Sequence, residues 1–419
     1  MLGKGPFLLG RDTRWSGPMV LAALASGLAA EGADVVDLGV LPTPGVAWYS
    51  VAEDRPAAAV SASHNPFEDN GVKFFTSGGR KLSDETEARL EAELDSLLAG
   101  DAVVRPPTGT GVGRIATHAD TGAYVEGLVA TLEGRRLDGL RVVLDCANGA
   151  ASAVAPAVFW ELGARVEVLH AEPDGRNINE GCGSTHPEDL QAAVVRSAAD
   201  AGLAFDGDAD RVLAVDHTGA LVDGDQLIAL CAVDRKARGL LVDDTVVVTV
   251  MANLGFRQAM AGLGIRVVDT NVGDRYVLEA LEQGGWSLGG EQSGHVIFRD
   301  LATTGDGVLT GVQVLDVMAR TGRTLADLAS VMTRRPQVLR NVRVASRQLD
   351  RAEALWAEVR AVEERLGGNG RVLIRPSGTE ALVRVMVEAQ TAEEAHAVCD
   401  ALADAVVRSL GPVDPQAVP

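Results

Sequence analysis

Aromatic residues are scarce: Phe, Trp and Tyr make up 4% of 419 residues. Leu, Val and Ala must therefore fill the cores, in a chain whose 47% hydrophobic and 23% charged residues form an ordinary globular balance. Cysteine is sparse too. Cys146, Cys182, Cys231 and Cys399 lie far apart with no CxxC spacing, so the sequence suggests neither a zinc motif nor a redox dithiol. Reduced thiols in a cytosolic protein are the expectation. Basic residues are in deficit, with 38 Lys and Arg against 58 Asp and Glu, a net charge of −20. That balance excludes nucleic acid as an expected partner. It also means that an anionic substrate needs a local Arg and Lys cluster working against the global field. No apolar run reaches the length of a membrane span, so no membrane partner is expected. The opening Met1-Leu-Gly-Lys-Gly-Pro-Phe-Leu-Leu-Gly-Arg-Asp has too short an apolar run for a signal peptide, and a cytoplasmic setting is expected.

Length alone suggests about three domains of roughly 150 residues. Three segments repeat one pattern: an apolar strand, a turn rich in Gly, Asn or Asp, an Ala- and Leu-rich helix, and a second apolar strand. They run from Pro6 to Leu38, from Leu140 to Leu169 and from Thr245 to Asp269. Apolar strands alternating with helices indicate buried, largely parallel sheets of α/β type. Breaks fall at the loop-rich Arg105–Gly113, which follows a helix from about Ser83 to Ala99, near Gly219–Asp225, and around Thr333–Gln337. The last segment reads as strand, helix, strand, a loop at Arg375-Pro-Ser-Gly-Thr379, strand and a final helix. Thr391 and Glu394 stand at capping-box spacing at that helix's start, and Gly411-Pro412 stops it. The expected class is therefore α/β: three tandem similar domains with mixed sheets and a C-terminal α+β domain. The expected boundaries are 1–116, 117–220, 221–333 and 334–419.

Four constellations carry chemistry. In Ser61-Ala-Ser-His-Asn-Pro-Phe-Glu-Asp-Asn-Gly-Val-Lys73, Ser63 sits just past the apolar Ala57-Ala-Ala-Val60, where ligands bind α/β sheets. Its hydroxyl, with His64 beside it and Lys73 following, could carry a phosphoryl group; a polar loop with an Asn-Gly turn would also account for the residues. Asp206-Gly-Asp-Ala-Asp-Arg211 places three carboxylates within five residues, which repel one another unless a cation neutralises them. Oxygen ligands favour Mg²⁺ or another hard cation. An EF-hand is excluded, because its sixth position would be Arg211 in place of Gly and its twelfth His217 in place of Glu. Gly289-Gly-Glu-Gln-Ser-Gly-His295 offers Glu291, Ser293 and His295 to sugar hydroxyls, although a polar turn between strands explains it equally well. Arg375, Ser377, Gly378, Thr379 and the following Arg384 gather guanidinium groups, hydroxyls and backbone N–H groups, as a phosphate dianion requires. Together they describe phosphoryl transfer to a sugar, with a remote phosphate clamp supplying binding energy for the reacting end.

These four motifs, in this order and over nearly the whole chain, resemble those of the α-D-phosphohexomutase superfamily, and within it the phosphoglucosamine mutase group. The resemblance implies that Ser63 is a phosphoserine whose phosphate joins Asp206, Asp208 and Asp210 around one Mg²⁺. It implies catalytic roles beside Ser63 for His64, for Lys73 as general acid/base and for Arg211 as charge neutraliser. Glu291 and Ser293 would hold sugar hydroxyls. Arg375, Ser377, Gly378, Thr379 and Arg384 would hold the distal phosphate. It further implies a heart-shaped arrangement around a central cleft, a hexosamine bisphosphate activator, a small sugar phosphate as partner and a possible homodimer. Gln292, Asn177–Thr185 and Thr304-Gly-Asp-Gly307 resemble the glucosamine subgroup more than the mannose and glucose phosphate mutases. The implied reaction interconverts D-glucosamine 6-phosphate and α-D-glucosamine 1-phosphate, feeding UDP-N-acetylglucosamine and cell-wall synthesis. One departure is that relatives usually begin with a Phe-Gly-Thr-Asp-Gly-Ile-Arg strand and loop and a first helix. Without them, domain one would expose apolar surface and lack an arginine, which leaves an impaired sugar-phosphate binder as one alternative, beside a mutase acting on mannose or glucose phosphates.

Overall fold

The computed structural model describes residues 5–100, 107–118, 121–345, 349, 352–376 and 382–411. Contacts divide it into two units: residues 1–251 with 263–331, and residues 252–262 with 332–419.

The first unit holds three sheets. One is formed by β1 (Phe7–Arg11), β2 (Val35–Val40), β3 (Ala57–Val60), β4 (Val72–Thr76), β5 (Arg80–Lys81) and β6 (Ile115–Thr117), in the order β5-β4-β3-β1-β2-β6. β1 pairs in parallel with β2 and β3, while β4 and β5 add antiparallel, so the sheet is mixed. Every residue of β3 is buried, the mark of a strand covered on both faces. Leu21 and Ala25 of the helix Gly17–Ala30 pack on Phe7, Leu9, Val35, Ala58 and Val60. Aliphatic side chains thus do most of the filling, as the composition requires.

The second sheet contains β7 (Arg141–Asp145), β8 (Arg165–Leu169), β9 (Ala201–Phe205), β10 (Val212–Asp216) and β11 (Leu221–Val222), ordered β11-β10-β9-β7-β8. β7 runs parallel to both neighbours, so the loops after β7, β8 and β9 leave from one edge. The third sheet, β12 (Thr245–Thr249), β13 (Arg266–Thr270), β14 (Leu288–Gly290) and β15 (Val296–Phe298), has the order β13-β12-β14-β15. Its final pair, β14 and β15, is antiparallel and presents the 291–295 turn.

In the second unit, β16 (Gln337–Arg343), β17 (Arg371–Pro376) and β18 (Leu382–Glu388) form an antiparallel sheet ordered β16-β18-β17. The helices Glu353–Leu366 and Ala392–Leu410 pack on it through Leu355, Val359, Val398, Leu402, Ala405 and Val406. Thr391 caps the last helix by accepting from Glu394 N at 3.2 Å, which is half of the expected capping box. One expectation needs correction. Arg375 and Pro376 end strand β17 instead of opening a loop. A proline is tolerated there because β17 is an edge strand, where a missing N–H breaks no ladder.

Candidate active site

Strand register builds the site. Arg11 of β1 stands beside Val60 of β3, so Asp12 and Ser61 meet just beyond the strand ends, and Ser61 Oγ donates to Asp12 Oδ2 at 2.7 Å. Ser61 Oγ in turn accepts from Ser63 N at 2.9 Å. Ser63 adopts a left-handed backbone, φ 53°, which turns its side chain out of the strand direction. Its carbonyl is held from two sides, by Arg14 Nη2 at 2.8 Å and Asn179 Nδ2 at 2.9 Å. The same two groups donate to Asn65 O, and Arg14 Nη1 reaches Pro66 O and Asp69 O. The fully buried Arg14 is itself paired with Asp12, Nε to Oδ2 at 2.9 Å. An ion pair thus laces the whole loop that carries Ser63. Sequence reasoning passed over Asp12 and Arg14, and read Asn179 only within the Asn177–Thr185 stretch that bears on substrate choice. The available signal was a charged Arg11-Asp-Thr-Arg14 directly after a strand too apolar to face water.

Ser63 Oγ donates to Asp206 Oδ2 at 2.6 Å. Asp206, Asp208 and Asp210 follow β9, all buried, with one ligand oxygen from each lying within 4.8 Å of the others. The chain curls because Ala209 takes φ 56°, and because a Cβ on Gly207 would stand 2.6 Å from Ser63 O, leaving room there for glycine alone. Thr43 Oγ1 donates to Asp208 Oδ2 at 2.5 Å. Lys73 Nζ, on β4, spans Asp208 Oδ2 at 2.7 Å and Asp210 Oδ2 at 3.2 Å. Arg211 N donates to Asp206 Oδ1 at 3.1 Å, and its guanidinium lies 3.7 Å from Asp210 Oδ1. The exposed His64 stands at the rim, with Nδ1 3.5 Å from Ser63 Oγ and 3.2 Å from Arg211 Nη1. Five of the expected residues, with Ser63 and its neighbour His64, therefore share one site.

Three buried carboxylates against two cations dominate the electrostatics. Burial, then the charges of Asp210 and Asp208, push Asp206 well above the usual carboxylate range. Burial would raise Asp210 as well, but Lys73, His295 and Arg211 hold it well below that range. Burial opposes the Lys73 cation, and the Asp208 and Asp210 charges outweigh it, raising its pKa. Partial burial and Arg211 lower that of His64. Asp208 Oδ1 and Asp210 Oδ1 are buried and accept no hydrogen bond. Orphan carboxylate oxygens beside Asp206 fit a hard divalent cation, which would supply charge neutralisation to a phosphoryl group on Ser63 Oγ.

The 291–295 turn abuts this cluster. Glu291 is partly buried and accepts from Gly273 N through Oε1 at 3.1 Å, while Ser293 is exposed. His295 departs from expectation: it is 2% exposed, takes the Gly305 N–H on Nε2 at 3.1 Å and sets Nδ1 3.7 Å from Asp210 Oδ1. Its ring is fixed by backbone against the triad and is not open to a hydroxyl. In the second unit, Arg375 and Arg384 stand directly opposite on β17 and β18. Like charges in that position repel. Burial and then Arg384 lower the pKa of Arg375, and the buried Arg384 Nε has no hydrogen-bond partner among the described residues. Both features suit an anion between the two guanidinium groups. Ser377, Gly378 and Thr379 lie outside the described residues.

Four family profiles described as phosphoglucomutase/phosphomannomutase match the chain in order. Alpha/beta/alpha domain I covers residues 2–99, domain II residues 122–219, domain III residues 223–335, and the C-terminal domain residues 339–405. The phosphoglucosamine mutase of Rhodococcus jostii is 54% identical, over 96% of this chain and 90% of its own. The chain belongs to the phosphoglucosamine mutase family of α-D-phosphohexomutases. The phosphoglucosamine mutase of Streptomyces coelicolor has the same identity and the same two coverages. Among solved phosphohexomutases, a phosphoglucomutase/phosphomannomutase family protein of Burkholderia thailandensis superposes with a TM-score of 0.80 at 25% identity. That match covers 98% of this chain and 91% of the other. The Aspergillus fumigatus N-acetylphosphoglucosamine mutase, solved with GlcNAc-6P and magnesium, shares the fold at a TM-score of 0.69 and 22% identity, covering 88% and 92%.

Proposed function

We propose that this chain is a phosphoglucosamine mutase that interconverts D-glucosamine 6-phosphate and α-D-glucosamine 1-phosphate. The observation that carries the reading is the Ser63 hydroxyl bonded to Asp206 inside a buried carboxylate cluster in which Asp208 Oδ1 and Asp210 Oδ1 have no hydrogen-bond partner among the described residues. Ser63 carries the phosphoryl group, giving it to glucosamine 6-phosphate and recovering it from the other end of a bisphosphorylated sugar that reorients between the two transfers. Asp206, Asp208, Asp210 and the phosphorylated Ser63 would hold Mg²⁺, which would supply charge neutralisation there. Lys73, whose ammonium bridges Asp208 and Asp210 beside Ser63, is the general acid/base candidate: those carboxylates raise its pKa in the metal-free cluster, and a cation neutralising them would bring it back toward the range in which it can give up a proton. Arg211 and His64 face the transferred group, Glu291 and Ser293 hold sugar hydroxyls, and Arg375 and Arg384, with Ser377, Gly378 and Thr379, hold the distal phosphate.

A hexosamine bisphosphate activator, a homodimer, a cytoplasmic setting and domain junctions at 116/117, 220/221 and 333/334 belong to the same proposal. The sheets support the junctions to within two residues, since each lies within one expected domain apart from the last residue of β6 and the two residues of β11. Among the described residues no helix is long and apolar enough to cross a membrane. Turnover of each hexose 1-phosphate with its bisphosphate tests the substrate. Glucosamine 1-phosphate is expected to lead, and faster mannose 1-phosphate turnover would reject the assignment.

Two further outcomes follow from the charges. Mg²⁺ needs Asp206 ionised, and the raised Asp206 pKa means protons compete for it. In the metal-free protein a raised carboxyl lowers stability as pH rises through its folded pKa. Mg²⁺ is therefore expected to raise the melting temperature at pH 8, and to do so progressively less as pH falls. A Mg²⁺ gain that grew toward acid pH would contradict this. Arg384→Met is expected to raise KM for the sugar phosphate at least about tenfold, each charged hydrogen bond being worth roughly 1.5–3 kcal/mol. It should leave the melting temperature equal or higher, because one of two opposed cations is gone. Inorganic phosphate should stabilise the parent chain more than the variant in thermal melts.

A further inference from the structure

We propose that Asp145, His170 and Cys182 form a second metal site, distinct from the Asp206 cluster and suited to a thiophilic divalent ion such as Zn²⁺. Among the described residues, these two clusters are the groups of three or more His, Cys, Asp or Glu whose ligand atoms all come within 4.8 Å of one another. The donor sets differ in kind. Three carboxylates select a hard ion, whereas thiolate, imidazole and carboxylate select zinc or its neighbours.

Three separate segments supply the ligands, which is why no CxxC spacing announces the site. Asp145 ends β7 opposite Leu169 of β8, so register brings His170, the next residue, to its side. Cys182 arrives on the loop after Asn179, where Gly183 N donates to Asp145 Oδ2 at 2.9 Å. Asp145 and Cys182 are fully buried. His170 lies on the wall of a cleft with Asn148, Glu172 and Asn177, which gives an ion a way in.

The approach of His170 to Asp145 also has the spacing of two ligands on one ion. Nδ1 lies 3.1 Å from Asp145 Oδ1, yet it is buried and makes no hydrogen bond, so the two atoms are close without being aligned. Two ligands of one tetrahedral ion stand at a similar separation: bonds of about 2.0–2.1 Å place them roughly 3.3 Å apart. The other ring nitrogen, Nε2, lies 3.5 Å from Asp189 Oδ2. A carboxylate behind a ligating imidazole is the usual support that orients it. Asp145 is held likewise, since Ala147 N donates to its Oδ1 at 2.9 Å. With three protein ligands and a partly exposed histidine, water completes the fourth position. Binding converts the Cys182 thiol to thiolate and releases its proton to solvent, so affinity rises with pH. A bound ion would clamp the loop whose Asn179 holds the Ser63 carbonyl.

Cobalt titration of the metal-free protein tests this. Thiolate-to-Co²⁺ charge transfer absorbs in the near ultraviolet, and the all-oxygen Asp206 cluster cannot produce it. One equivalent of Co²⁺ is expected to develop the band, and Zn²⁺ to displace it. The band should persist in Cys146→Ser and in Asp206→Asn, and vanish in Cys182→Ser and His170→Gln. Asp189→Asn should weaken binding about tenfold. Absence of the band at saturating Co²⁺, or its survival in Cys182→Ser, would overturn the site. If circular dichroism shows Cys182→Ser to be misfolded, His170→Gln decides: a band unchanged there overturns the proposal.

Discussion

Ser63→Ala is expected to lower mutase turnover by roughly four orders of magnitude or more, the scale on which removing a covalent nucleophile acts. The substitution takes away the Oγ that bonds Asp206 Oδ2, and no other hydroxyl donates to that oxygen among the described residues. The loop should keep its shape, because Arg14 and Asn179 hold the backbone carbonyl of residue 63, not its side chain. The cost in stability is accordingly small, about 1–3 kcal/mol for the unpaired acceptor at most, and less once a cation sits on the triad. Turnover, thermal melting and intact mass separate these effects. Measurable turnover on a folded, unphosphorylated variant would mean that another group carries the phosphoryl.

Arg14→Met is expected to be the most damaging substitution remote from any ligand. Arg14 and Asp12 are both fully buried, and removing one partner of a buried pair typically costs about 3–5 kcal/mol because the other charge is stranded. Here the guanidinium also ties down the carbonyls of Ser63, Asn65, Pro66 and Asp69. The double substitution Asp12→Asn with Arg14→Met should recover part of the loss, since no charge is then left buried. The pH dependence has a definite sign. Burial already raises Asp12, and Arg14 is what pulls it back down. Without Arg14 the folded state holds the Asp12 proton more tightly, so the variant's deficit should be smaller near pH 5 than near pH 8. Amide hydrogen exchange across residues 61–69, followed at both pH values, reads this directly. A pH-independent deficit would assign the loss to the backbone tethers and not to the stranded charge.

Much of the site is legible in sequence because its chemistry is local. Asp206, Asp208 and Asp210 announce themselves by proximity, and Ser63 by its place after the apolar Ala57–Val60. The strand–helix–strand repeats are equally plain, since periodicity is a local property. What stays hidden is pairing at long range. Arg14 meets Ser63 across 49 residues, Asn179 meets it across 116, and Thr43 meets Asp208 across 165. Each is an ordinary polar residue until parallel strands bring two loop-bearing ends together. His295 shows the converse. Its Gly-rich turn suggests a ligand-facing donor, yet packing takes the ring inward to Gly305 N and Asp210. Arg375 was legible as a cation but not as one member of a facing pair, because that relation exists only in the β17–β18 register.

Phosphoryl transfer through Ser63 is the step on which the proposed function stands. Its most direct test is a single-turnover transfer from labelled enzyme. The chain is phosphorylated with glucosamine 1,6-bisphosphate, freed of the sugar, mixed with glucosamine 6-phosphate and quenched at short times, and the label on the Ser63 peptide and on sugar is followed. Label is expected to leave Ser63 and appear on the sugar at a rate no slower than turnover. Product forming while the label remains on Ser63, or label found on a different residue, would contradict it.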